Sequence, residues 1–421
     1  MGAVARILGA RSVRHGVALQ TDGRLTRFGG WVDGLTDRRQ WLLVFTVMSA
    51  IYLPTATWDF EVHVDAVMSA IPAYTLVHEG TLELSSQDDL VLGHRIAEAE
   101  TEVSDRGRFS NRNPGSIFAA VPAYAVERLL LGDVPFRTGP AAVSASLIVA
   151  AAVATMSLVV RNLAANRYAI AAAMAAGLAT PTWAVSADST WAHGPNQLWL
   201  AIGLYFMAKQ AYARSGLAYG LAVFTRPYSG AVAAASGIYV TLKKRDWRPV
   251  VLIGVTSALG VIAFLVYSRV LFEVTSVYGG YADRGYHQAR LTSPPDTFLQ
   301  DLWLSLMSPS RGLLLHSAFL IPLAVGFRKG WGAAEPWVKA AALSAAAYLV
   351  LQVRAGGWIG GDFYFGYRYQ LEAVWVAVPF LFLAWQERIK DSPRLSMVFN
   401  ALLASAFALQ ILGAVVEVYK A

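Results

Sequence analysis

The chain has 421 residues, of which 56% are hydrophobic and 15% charged, where a soluble domain carries about 25% charged residues. That balance, with a mean hydropathy of +0.43, excludes an ordinary water-soluble protein of this length and makes lipid the expected solvent. Cysteine is absent, which excludes a disulfide framework, a thiolate metal site and a cysteine nucleophile. The net charge of +7 lies in short Lys and Arg clusters between apolar runs, as the positive-inside rule expects, so nucleic acid is not an expected partner.

Residues 1–40 are polar and rich in arginine (Arg6, Arg11, Arg14, Arg24, Arg27, Arg38, Arg39), with no apolar core near the start as a signal peptide would need. They read as a cytoplasmic tail, and residues 41–421 as one membrane domain. Trp41 to Trp58 is the first span. Residues 59–113 form a long acidic first external loop, in which Val64 to His78 has the spacing of an amphipathic surface helix. Ser116 to Leu131 is apolar but interrupted by Pro122, Glu127 and Arg128; counting crossings places it on the surface, so that Arg161 and Arg167 stay inside. Ala141 to Val160, Tyr168 to Trp183 and Gly194 to Tyr212 follow as spans. Leu217 to Leu242 has basic residues beyond both ends, so it is expected to bend as a hairpin near Arg226-Pro227. Pro249 to Phe272 goes out to a second external loop, residues 273–310; Gly312 to Phe327 returns. Trp337 to Val353 leads to an aromatic external loop, residues 354–368, before Tyr369 to Trp385 and Met397 to Val416. The expected fold is all-α, a polytopic transmembrane bundle of about eleven spans.

Three external segments carry the ionisable and aromatic groups. Asp59, Glu61, His63 and Asp65 cluster beyond the first span. A carboxylate there can serve as general base toward a sugar hydroxyl, and a neighbouring carboxylate would raise its pKa. Arg284 and Arg290, followed by Arg311, run against the positive-inside trend, which an anionic phosphate ligand would explain. Trp358, Asp362, Tyr367, Arg368 and Tyr369 offer rings for stacking on a sugar, glycines for close approach, and a cation. Arg226 inside an apolar stretch needs a partner or water, and is expected to face the same cavity, lined also by Asp188 and His193. The histidines lack metal-ligand spacing, so no metal is expected.

Asp65, Tyr74 and His78-Glu79-Gly80-Thr81-Leu82 come first; Gly107-Arg108-Phe109-Ser110, Asn113-Pro114-Gly115 and Val121-Pro122 follow. Arg226-Pro227, Ser308-Pro309-Ser310-Arg311-Gly312-Leu313-Leu314, Gly360-Gly361 and Gly366-Tyr367-Arg368-Tyr369 complete the series. In this order the set resembles the bacterial GT-C superfamily of integral membrane glycosyltransferases, the group of protein mannosyltransferases and aminoarabinose transferases. It departs from that pattern in one place: Asp65 is followed by Ala66, so the usual paired acids are not clear.

The resemblance implies inverting transfer of a sugar from a polyprenyl-phosphate carrier, on the external face of the plasma (inner) membrane. The acceptor would be a cell-envelope glycan, lipid or protein. Asp65 would be the base, with Asp59 or Glu61 as runner-up. Arg284, Arg290, Arg311 and Arg368, with Arg226, would hold the donor phosphate. His63, His193, Trp358, Asp362, Tyr367 and Tyr369 would contact sugar or acceptor. No cofactor is expected. A transporter or flippase of lipid-linked sugars, or a non-catalytic membrane scaffold, stays open as the alternative.

Overall fold

The computed structural model describes residues 29–58, 64–92, 101–284, 291–292, 294–360 and 364–416. Among these the chain is almost wholly helical. The longer helices are α1 (Asp37–Thr55), α2 (Val64–His78), α3 (Pro114–Leu131), α4 (Gly139–Arg161), α5 (Asn166–Leu178), α6 (His193–Ala208) and α7 (Tyr212–Thr225). They continue as α8 (Gly230–Lys244), α9 (Arg248–Phe272), α10 (Pro295–Met307), α11 (Pro336–Gly356), α12 (Leu371–Ala384) and α13 (Pro393–Ile411). One antiparallel hairpin, β1 (Thr101–Ser104) and β2 (Gly107–Ser110), lies in the first polar loop, pairing Thr101 with Ser110 and Ser104 with Gly107.

Composition explains the packing. α4 is built largely from Ala, Ser and Val, and α1, α5 and α6 pack on it. Small side chains let helix backbones approach closely where hydrophobic exclusion gives little net pull. A few buried polar groups fix the register. Gln40 Nε2 donates to both the carbonyl and the hydroxyl of Ser157 at 3.1 Å, joining α1 to α4. The Tyr52 hydroxyl donates to Gly177 O at 2.9 Å, joining α1 to α5. α12 is apolar on nearly every side and buried accordingly. Trp375 Nε1 ties it to Gln197 O at 2.9 Å.

α9 shows the opposite design. Val251, Val255, Leu259, Ile262, Val266 and Val270 recur at helical spacing and are all exposed. In water this stripe would be an aggregation surface; against lipid it is matched. Among the described residues four helices are long and apolar enough to cross a membrane: Gly139–Arg161, Arg248–Phe272, Pro336–Gly356 and Pro393–Val416. That corrects the count of about eleven such spans. α5 and α7 have 13 and 14 residues. At the α-helical rise they reach only about 20 Å, short of a hydrocarbon core of roughly 30 Å.

The chain does break at Arg226-Pro227. Arg226 takes an extended conformation (φ −145°, ψ 109°) and a 3₁₀ turn, Pro227–Ser229, leads into α8. The single span expected over Gly312 to Phe327 is instead segmented into Leu313–His316, Leu320–Leu323, Ala324–Gly326 and the start of Phe327–Ala333. Ser317 leaves the helical region (φ −138°, ψ 55°), its hydroxyl donating to Ala179 O at 3.2 Å, and Pro322 removes a further amide donor. α2 has its expected limits, but every residue from Ala66 to Thr75 is buried, so it is not an exposed amphipathic helix. It is apolar all round and α3 packs against it. Finally, the hairpin sits at the C-terminal end of α9: Ser104 Oγ donates to Leu271 O at 2.8 Å, and the Phe109 ring meets Phe272 edge-on at 6.3 Å.

Candidate functional site

Asp65 stands in the first turn of α2, and the hairpin delivers a cation to it. The Ser110 hydroxyl, at the end of β2, donates to Met68 O on α2. The chain two residues further on therefore passes beside Asp65. Arg112 Nη2 lies 2.7 Å from Asp65 Oδ1. The loop after α9 closes over this point. A Cβ on Gly280 would stand 2.8 Å from Asn111 Cα, so only glycine fits, and the next residue, Tyr281, presents its ring to Arg112 at 5.8 Å.

From the other end of the chain comes Arg368, just ahead of α12. Its Nη1 donates to Asp65 Oδ2 at 2.7 Å. Asp65 is thus gripped by two guanidiniums, one on each oxygen. Burial pushes the Asp65 carboxyl up, but Arg112 and Arg368 more than offset this and hold it at about 2. The sequence suggested the reverse, a carboxylate raised by acidic neighbours. Among the described residues, the charged groups in contact with it are the cations Arg112 and Arg368, so the shift is downward.

Arg368 is held in an aromatic cage. Its guanidinium carbon lies 4.6 Å from the centre of the Trp191 ring, 5.2 Å from Tyr364 and 5.3 Å from Tyr369. Arg311 stacks on the same Tyr364 ring at 3.8 Å and donates to the Tyr364 carbonyl.

Tyr369 links this half of the site to a second, deeper half, in which His193 and Glu372 are fully buried. Arg226 lies 6.0 Å from the same ring. Because the chain is extended at Arg226, the side chain leaves α7 and reaches into the bundle. Nε donates to the Tyr348 hydroxyl at 3.2 Å and lies 3.3 Å from Glu372 Oε1; Nη2 donates to Gln352 Oε1 at 2.9 Å. Arg226 Nη1 lies 3.1 Å from His193 Nε2, and His193 Nδ1 lies 2.8 Å from Glu372 Oε1. Arginine can only donate, so His193 Nε2 accepts and its proton sits on Nδ1, toward the carboxylate. Asn196 Nδ2 also donates to Glu372 at 3.3 Å. Gly115 brings α3 up against this corner, since a Cβ there would meet Thr225 Oγ1 at 2.2 Å. The Asn113-Pro114-Gly115 motif therefore abuts Thr225, the residue just ahead of Arg226-Pro227.

Of the residues singled out from sequence, Asp65, Arg368, Tyr369, Arg226 and His193 converge, with Arg311 one ring away. Tyr367 does not join them: it is fully buried and its hydroxyl bonds Ser317 Oγ at 2.9 Å. Asp188 accepts from the Thr57 amide at 2.9 Å and hydroxyl at 2.7 Å, pinning the chain that leaves α1. Trp358 is half-buried in the turn after α11. Arg284 ends the 3₁₀ turn Gly279–Arg284. Asp59, Glu61, His63, Arg290 and Asp362 lie outside the described residues.

Sequence reasoning passed over Arg112, Trp191 and Glu372. Glu372 carried a signal, being the only acid within the apolar run Leu371–Ala384. Arg112 carried none, because its role depends on the hairpin. Among the described residues no three His, Asp or Glu side chains gather as a metal would require. No family model matches the chain, and no curated protein matches it.

Proposed function

We propose that this protein is an integral membrane glycosyltransferase of GT-C type, built on a polytopic helical bundle. It would move a sugar from a polyprenyl-phosphate carrier to a hydroxyl of an envelope glycan, lipid or protein. Support comes from one observation: Asp65, Arg368 and Arg226, distant in sequence, belong to one continuous, partly buried cluster of charges and rings at the end of the apolar helix α9.

In this proposal the acceptor oxygen attacks the anomeric carbon and the bond from that carbon to the phosphate oxygen breaks. The hydroxyl proton passes to Asp65, and the lipid phosphate leaves with the bonding pair. A carboxylate held at about 2 is a weak base. Donor phosphate would draw Arg368 toward itself, and Asp65, released from one guanidinium, would regain basicity. Arg368 Nε is buried and has no hydrogen-bond acceptor among the described residues, so it keeps a donor available for a phosphate oxygen. Trp191, Tyr364 and Tyr369 supply faces for a sugar ring. A flippase of lipid-linked sugars would use the arginines but has no call for a base.

The deciding experiment is purified protein given a synthetic polyprenyl-phosphate sugar, the matching nucleotide sugar, and an acceptor glycan. New glycosidic linkage from the lipid donor, absent in Asp65→Asn, is expected. Movement of the lipid across a vesicle membrane with no bond formed would favour the flippase.

A further inference from the structure

At the far end of α9 from Asp65 lies a second charged region that the proposed transfer does not use. The turns after α6 and after α8 sit side by side there, joined by Lys244 Nζ donating to Gln210 Oε1 at 2.7 Å. They bring together Lys209, Arg214, Lys243, Lys244, Arg245 and Arg248, all exposed. The nearby acid, Asp246, spends Oδ1 on the Arg248 amide at 3.0 Å. None of the six cations has an ion-pair partner among the described residues.

Four of them are nonetheless braced. Lys209 lies over Tyr205 at 5.7 Å, Lys243 over Tyr239 at 5.7 Å, Lys244 over Tyr212 at 5.6 Å and Arg214 over Phe206 at 5.8 Å. Rings that fix the stems lower the entropy lost when the cations meet an anion. Immediately beside the patch the surface turns apolar. Trp247 is 68% exposed between Arg245 and Arg248, Leu242 is 70% exposed one residue from Lys243, and Val251 and Val255 begin the lipid-facing stripe of α9. An exposed indole between cations at the top of an apolar stripe is the pattern of a bilayer interface.

We infer that this patch is a binding site for the headgroups of anionic phospholipids, their phosphates held by Lys209, Lys244, Arg245 and Arg248 and their acyl chains lying along α9. Both halves of that ligand are matched: unpaired cations meet the phosphate, and an exposed apolar stripe meets the tails. A soluble anion would match only the first. The site stands whether or not Asp65 transfers sugar.

The test uses the full chain in phosphatidylcholine nanodiscs containing a minority of phosphatidylglycerol, with retained lipids counted by native mass spectrometry. Phosphatidylglycerol should be enriched over its bulk fraction. The enrichment should fall at least about tenfold in a Lys209→Gln, Lys244→Gln, Arg245→Gln, Arg248→Gln variant, since cations at the bilayer surface attract anionic headgroups and this variant removes four of them. Lys209→Arg with Lys244→Arg should retain it, and so should Asp65→Asn. A salt titration of the unmodified protein is a second route should the glutamine variant not insert: the enrichment must decline with ionic strength. Equal enrichment in the glutamine variant, no enrichment in the native chain, or insensitivity to salt would overturn the site.

Discussion

Arg368 and Asp65 are separated by 303 positions in the chain, yet Nη1 and Oδ2 are 2.7 Å apart. Their contact closes the first polar loop onto the segment ahead of α12. It also couples the proposed base to the proposed phosphate ligand, so that neither can be changed without changing the other. With Arg112 on the second oxygen, Asp65 carries a structural and a chemical role together, and experiments can separate them.

The chemical role is tested by Asp65→Asn. Amide for carboxylate preserves shape and removes the proton acceptor, so transfer from the lipid donor should fall at least about a hundredfold. The mutant should still be recovered from membranes and elute as a single species. Transfer at the native rate would remove Asp65 as base and return attention to Asp59 and Glu61.

The structural role shows in acid. The folded Asp65 carboxyl is depressed to about 2, below the unfolded value of about 3.9. Its stabilisation is therefore fully present above the unfolded value and is lost as pH falls through the folded one. The melting-temperature gap between native protein and Asp65→Asn should be constant near neutrality and shrink as pH falls from about 4 toward about 2. A gap that widens on acidification would mean that the two arginines do not hold Asp65 ionised in solution.

Glu372 is a sharper case because it is fully buried and serves His193, Arg226 and Asn196 at once. Glu372→Gln leaves the Arg226 guanidinium without its counter-charge and should destabilise by about 3 kcal/mol. Removing the cation too, in Glu372→Gln with Arg226→Met, should recover part of that loss, since the orphaned charge is gone. Thermal unfolding of the two variants decides it; a double variant less stable than the single would mean the ion pair is not the source.

How much of this was legible in the sequence depends on range. Helix character followed from composition, and the break at Arg226-Pro227 followed from one proline. The convergence of Asp65, Arg226 and Arg368 was also visible as three charges with no reason to sit where they do. What failed was anything needing a third dimension. Val64–His78 reads as a surface helix until α3 is known to cover it. Gly312 to Phe327 reads as one helix until Ser317 finds Ala179 O. The direction of the Asp65 shift was missed because Arg112 reaches it only through the β-hairpin, which the sequence did not announce.

Orientation is open to direct measurement, because the chain has no cysteine. Ser86 is exposed in the first polar loop and Arg245 is exposed at the N-terminal end of α9. Ser86→Cys should react with a membrane-impermeant thiol reagent in whole cells, and Arg245→Cys only after lysis. The reverse pattern would put the Asp65 cluster on the cytoplasmic face, where a nucleotide sugar becomes the available donor.

The last prediction concerns the chemistry of Arg368. A guanidinium does two things there that an ammonium cannot. It bonds Asp65 through one nitrogen while Nε stays open to a second acceptor, and its flat face lies over Trp191, Tyr364 and Tyr369. Lysine keeps the charge but concentrates it at one point and loses the planar fork. If Arg368 only balances the charge of Asp65, Arg368→Lys should behave almost as the native protein. If it holds a phosphate oxygen beside the carboxylate, Arg368→Lys and Arg368→Ala should both raise the donor KM, by roughly tenfold or more for alanine, and leave the acceptor KM nearly unchanged. Initial rates with one substrate varied at a time give both constants. A rise confined to the acceptor would place the phosphate elsewhere, with Arg311 the next candidate, since it stacks on the same Tyr364 ring.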